Sequence, residues 1–175
     1  GPGEVRIRVR ACGVNYPDTL IIEDKYQFRP ARPFAPGGEV AGEIDQLGAG
    51  VSGLKVGDRV IAMLGHGGMA EQVISKAAKV FAMPSGMPFD EAATFILTYG
   101  TSYHALKQRA ALLPGQSLLV LGAAGGVGLA AVELGKAMGA RVIAAVSTQE
   151  KLALAKAHGA DAGQVYATGP FDKDG

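Results

Sequence analysis

The sequence predicts an antiparallel β domain followed by a parallel α/β unit, and three observations support that prediction. Near the N-terminus apolar and basic residues alternate, Val5, Ile7 and Val9 against Arg6, Arg8 and Arg10, which is the period-two pattern of a half-buried strand. From residue 39 to residue 84 short apolar runs are broken by glycine-bearing turns, the texture of a small β barrel or sandwich. Past residue 90 the texture changes, and between residues 118 and 147 a strand, a glycine-rich loop, a helix and a second strand follow one another.

Each element has its own local reason. "EVRIRVRACGV" (residues 4–14) is the first strand, with its three arginines on a solvated face. "EVAGEIDQLGAGVSGLKVGDRVIAML" (39–64) supplies further strands, and "KVGDRV" within it is a tight turn that opens one. "GGMAEQVISKAAKVFAMP" (67–84) adds more. "DEAATFILTYGTSYHALKQRAAL" is helical in composition, with Asp90 and Glu91 in the first turn, where the helix dipole favours acids. Tyr99-Gly100 is the point at which that helix divides in two. After the turn "LPGQ" come strand Ser117–Leu121, helix 126–138, strand Arg141–Val146, helix 149–158 and strand 164–166. Strands alternating with helices make a parallel sheet. The two textures place a domain boundary near residue 98, giving domains 1–98 and 99–175 with no internal repeat.

Composition narrows the function classes. A chain of 175 residues with 48% hydrophobic and 19% charged residues builds a sizeable globular core. A net charge of +1 favours neither nucleic acid nor an anionic membrane surface. No apolar run approaches the roughly 20 residues of a membrane span. The single cysteine, Cys12, excludes a disulfide framework and a cysteine-rich zinc lobe, and it points to a reducing, cytoplasmic setting. The opening "GPGEVRIRVR" and the closing "GPFDKDG" read as the ends of a part of something longer.

"GAAGGVG" (122–128) lies between the first parallel strand and its helix. Against the G-x-G-x-x-G pattern its three positions are Ala123, Gly125 and Gly128. These serve the tight turn, the approach of backbone to a pyrophosphate, and the packing of helix on strand. A helix N-terminus offers free N–H groups and a positive dipole end to phosphate. The tip of the second strand then selects the nucleotide. An NAD site places Asp or Glu there to grip the ribose hydroxyls. This chain has Ser147 and Thr148 instead, with Lys151 one helical turn beyond, and therefore favours NADP(H).

The motifs "GVNYPD", "PGGEVAG", "VGDRV", "GGMAEQV", "LTYGTSYHAL" and "GAAGGVG", in that order, resemble the medium-chain dehydrogenase/reductase superfamily and, within it, the zinc-free NADPH:quinone oxidoreductase group. The resemblance implies a GroES-like β-barrel catalytic domain followed by a Rossmann-type doubly wound parallel sheet, both incomplete in this chain. It places the active site in the cleft between the domains and implies a homodimer at full length. Zinc alcohol dehydrogenases of the superfamily carry Cys and His where this chain has Asn15 and Gly38, so the resemblance implies no zinc. His66, His104 and His158 are scattered and form no metal pair.

Without zinc the acceptor must already be electrophilic, as quinones and α,β-unsaturated carbonyls are. By resemblance, Asn15, Tyr26 and Thr101 are the catalytic candidates, with Asn15 and Thr101 also near the nicotinamide. Ala124, Gly125, Gly126 and Val127 line the pyrophosphate, and Ser147, Lys151 and Tyr166 match the 2′-phosphate pocket. Two alternatives stay open. One is an enoyl-CoA reductase of the acryloyl-CoA kind, for which "KYQFRPARP" (25–33) offers three cations and aromatic rings. The other is an NADPH-binding homologue with little turnover.

Overall fold

A computed structural model describes residues 1–166. The expected second domain runs on through 167–175, which lies outside the described residues. The chain divides into two compact units, one of Gly1–Leu97 and one from Thr98 onward.

The first unit is built on a five-stranded sheet in the order β4-β1-β2-β3-β5. Its strands are β1 (Glu4–Gly13), β2 (Glu39–Leu47), β3 (Arg59–Met63), β4 (Gln72–Lys76) and β5 (Val80–Ala82), each pair antiparallel. The alternation read in β1 sets its two faces. Val5 and Ile7 are buried with Val40, Ile44, Val60, Ala62, Val73 and Val80. Each such aliphatic side chain contributes about 1.5–3 kcal/mol by leaving water. The arginines face out, and Arg6 and Arg10 pair across the ladder with Asp45 at 2.7 Å and Glu43 at 3.5 Å. The register shifts between Arg6 and Ile7 and between Val9 and Ala11, bending β1 over the core.

A short helix, α1 (Tyr16–Ile22), follows β1 and carries the site of this unit. A second, α2 (Phe89–Ala92), begins where the acids Asp90 and Glu91 lie in its first turn. The helical stretch expected over 90–112, divided at Tyr99-Gly100, is largely not α-helix. After α2 the backbone winds in π turns at Ile96–Gly100 and His104–Arg109, with α3 (Thr101–Tyr103) between them. Wider π turns release the strict helical spacing near Tyr99-Gly100, where the composition also falters.

The second unit is a parallel sheet in the order β6-β7-β8, formed by Ser117–Leu121, Arg141–Val146 and Ala162–Val165. Helix α4 (Gly126–Ala137) packs on β6 and β7, and α5 (Gln149–Ala157) packs on β7 and β8. Val120, Val132, Val142, Ala144, Leu152 and Ala155 form its core. Across the sheet, Leu119 and Leu121 are 59% and 71% exposed.

Candidate cofactor and acceptor sites

The glycine loop turns directly off the end of β6. Gly122 has φ +62°, a conformation that L side chains avoid, and it makes the tight turn. This corrects the alignment that assigned the turn to Ala123, which is instead fully buried beneath the loop. Gly125 donates to the Gly122 carbonyl at 3.0 Å and is the N-cap of α4. A Cβ at Gly128 would lie 2.3 Å from the Gly122 oxygen, so the third glycine lets the helix close on the loop. The first turn of α4 thus presents its N–H groups and dipole at the rim of the loop.

Beside this loop is a pocket of about 150 Å³ lined by Gly122, Ala124, Gly125, Val146, Ser147, Lys151 and Tyr166. Its geometry follows from the start of α5. Thr148 caps the helix by accepting from the Lys151 N–H at 3.2 Å, and Lys151 Nζ turns back to donate to Ser147 Oγ at 3.0 Å. Tyr166 is fixed at the strand end, its N–H donating to the Val146 carbonyl at 2.9 Å. Among the described residues Lys151 is the one charged residue in this lining. A glycine cradle with an unopposed lysine and a hydroxyl at the strand tip fits a dinucleotide that carries a further phosphate.

The second pocket lies in the first unit, with a volume of about 120 Å³. Asn15, Asp18, Ile21, Tyr26, Phe28 and Met63 are among its lining. Asn15 is the N-cap of α1, and a proline sits in the first turn behind it. Asp18 is 3% exposed and accepts from the Asn15 N–H at 2.8 Å and the Gly37 N–H at 3.0 Å. Asn15 Nδ2 donates to Glu39 Oε1 at 2.9 Å, and the Leu97 N–H donates to Glu39 Oε2 at 2.9 Å. Tyr26 packs edge-on against Phe28, with ring centroids 5.5 Å apart.

Among the described residues no three His, Cys, Asp or Glu side chains converge to hold a metal ion. Burial, and then the carboxylates of Asp18 and Glu39, push the Cys12 thiol up, away from the thiolate that a metal needs. His66 stands between the rings of Phe28 and Phe34, His104 meets Gln108, and His158 meets Glu133.

The structure therefore brings Ala124, Gly125, Ser147, Lys151 and Tyr166 together in one pocket, and Asn15 and Tyr26 in the other. Gly126 and Val127 open α4, where the Val127 side chain is 44% exposed and its carbonyl accepts from Ser102 Oγ at 2.8 Å. Thr101 is exposed on α3 and lines neither pocket. Asp18 and Glu39 escaped the sequence reading as parts of a site. The local signal for Asp18 was the N-Y-P-D run itself, an Asx cap followed by proline and an acid at N3. Glu39 had no such signal, because its partners lie 24 and 58 residues away.

Comparison with known proteins bears on both units. A family model described as an alcohol dehydrogenase GroES-like domain matches residues 1–85, and one described as a zinc-binding dehydrogenase matches residues 126–170. A quinone oxidoreductase-like protein 2 homolog from Nematostella vectensis is 43% identical over 93% of this chain and 45% of its own length. A probable oxidoreductase from Mycobacterium abscessus superposes with a TM-score of 0.90 at 40% identity, over 97% of this chain and 54% of that one. The quinone oxidoreductase of Thermus thermophilus, solved also in complex with NADPH, superposes at 0.83 and 40% identity, over 94% of this chain and 52% of that one. The chain spans about half the length of the curated relatives it matches. It combines a GroES-like with a Rossmann-like domain and belongs to the medium-chain dehydrogenase/reductase superfamily, with quinone oxidoreductase-like proteins among its relatives.

Proposed function

We propose that the full-length protein is an NADPH-dependent, zinc-independent oxidoreductase that reduces a quinone or an α,β-unsaturated carbonyl. The observation that carries this reading is the Lys151–Ser147 contact at 3.0 Å, set beside the glycine loop in a lining without a carboxylate among the described residues. The NADPH complex of the Thermus thermophilus relative supports the same cofactor. In this reading Ala124, Gly125, Gly126 and Val127 hold the pyrophosphate through backbone N–H groups, and Ser147, Lys151 and Tyr166 hold the 2′-phosphate. Bound there, the nicotinamide supplies a hydride.

Asn15 and Tyr26 serve the acceptor end, and for Thr101, exposed on α3, that role rests on the family resemblance alone. Each carries a hydrogen-bond donor, and such donors are worth most where negative charge develops on the acceptor oxygen in a site closed to water. A conjugated acceptor spreads the developing charge to a distal oxygen and takes a hydride without a Lewis acid, which favours quinones and enones. An enoyl-CoA needs free cations for its phosphates. Of the three cations in the loop after α1, Lys25 is paired with Glu23 at 2.7 Å and Arg32 with Asp24 at 3.0 Å, so Arg29 alone is left to meet them, which favours the uncharged acceptor.

The test is NADPH oxidation by the full-length protein after EDTA treatment, with 1,4-benzoquinone, a simple enone and an enoyl-CoA as acceptors. The reading expects turnover with the first two at a rate unchanged by EDTA. Loss of activity on chelation overturns zinc independence, and preference for the enoyl-CoA moves the protein to the thioester branch. NADPH binding without turnover on any acceptor reduces it to a binding homologue.

A further inference from the structure

Glu39 is a fully buried carboxylate with no salt-bridge partner among the described residues. Among the described residues its oxygens accept from two N–H donors, Asn15 Nδ2 on one and Leu97 N on the other. Burying an anion on two hydrogen bonds is costly, and a side chain that only tied down Leu97 would not need a charge. The enclosure is tight. A Cβ at Gly13 would stand 2.8 Å from Glu39 Oε1 and 2.3 Å from the Ala93 carbonyl oxygen, so position 13 leaves just enough room for this carboxylate.

A carboxylate accepts hydrogen bonds and cannot donate them, whereas a primary amide has one end of each kind. Facing Glu39, the Asn15 amide is stable in one sense only, nitrogen inward. A flip would set two oxygens against each other. Nδ2 carries two hydrogens, one of which is spent on Glu39, and the other remains on an amide whose rotation is fixed.

We propose that Glu39 is a positioning residue of the acceptor pocket, acting through Asn15 to hold its amide in a single orientation as a hydrogen-bond donor. This rests on the reading that Asn15 serves the acceptor. Glutamine at position 39 is the informative replacement. It has the same shape but one acceptor oxygen, so it satisfies Leu97 or Asn15 in the original sense, never both.

The experiment is a double-mutant cycle in the full-length protein with NADPH and 1,4-benzoquinone, using E39Q, N15A and E39Q/N15A. E39Q is expected to lower kcat roughly ten- to a hundredfold with KM for NADPH unchanged, as loss of an oriented donor should. In the double variant the loss should equal that of N15A alone. Additive losses, or wild-type kcat in E39Q, overturn the proposal. A readout independent of turnover comes from selectively ¹⁵N-asparagine-labelled protein, with the Asn15 carboxamide identified by its loss in N15A. That signal should be protected from solvent exchange in the wild type and should shift and lose protection in E39Q. An unmoved signal overturns the positioning role even where the protein reduces no quinone, an outcome that would separately sink the proposed function. If E39Q fails to fold, the solvent protection of the Asn15 carboxamide in the wild type decides, and fast exchange there is the contrary result.

Discussion

A methyl group at position 128 would approach the Gly122 carbonyl oxygen to 2.3 Å, and both partners are backbone, so neither can yield cheaply. Gly128→Ala should therefore cost about 1–3 kcal/mol of stability through overpacking. It should also displace the loop that presents the α4 N–H groups. Thermal unfolding should fall by several degrees and NADPH binding should weaken together, and a variant with wild-type values for both would contradict the loop geometry. At this scale the sequence was legible where partners lie close along the chain. Ser147 and Lys151 are four residues apart, one just before the Thr148 cap and the other in the first turn of α5, and the lysine reaches back to the serine. The turn glycine was misassigned by one position, because spacing alone does not report which residue takes positive φ. Glu39 stayed hidden for a different reason: its contacts are tertiary, and a buried acid in "PGGEVAG" has no local signature.

Helix α4 is tied on two sides through one carboxylate. Its Glu133 accepts from the Tyr99 hydroxyl in the π-wound segment and from His158 Nδ1 at the end of α5, the latter at 2.5 Å. Burial raises the Glu133 carboxyl, but the hydrogen bonds from Tyr99 and His158 together with the charge of His158 outweigh it and hold it below its usual value. The hydrogen bond to Glu133, then burial, push Tyr99 up to about 12. The signs differ. A depressed carboxyl stabilises the fold above its unfolded value near 4.3, and that contribution is lost as pH falls through the native value. A raised phenol stabilises below its unfolded value near 10, and that contribution is lost as pH rises toward 12. Glu133→Gln should remove the acid dependence, weaken the alkaline one to what burial of Tyr99 alone sustains, and cost about 0.5–1.5 kcal/mol at neutral pH, discounted because the side chain is one-third exposed. Thermal melts across pH check this, and parallel wild-type and variant curves at both extremes would contradict it. The strands and helices of the second unit were readable from period and glycine placement. The π turns were not, since they answer to tertiary ties such as Tyr99–Glu133. Helix α1 was missed although its cap was in plain view, because seven residues carry little periodicity.

In the whole molecule each unit has its own apolar core, the first around Ile7 and Val40 and the second around Val132 and Val142. That is why a change of texture near residue 98 was visible without any linker. The nucleotide pocket lies wholly in the second unit, and Asn15 and Tyr26 in the first. In the proposed reading the choice of cofactor rests on the second unit, on Ser147, Lys151 and Tyr166. The most direct measurement is a fluorescence titration of the full-length protein with NADPH and, separately, with NADH. One charge-assisted contact to the 2′-phosphate, about 1.5–3 kcal/mol, predicts at least roughly tenfold tighter binding of NADPH. Equal affinities, or tighter binding of NADH, would contradict the assignment of that pocket.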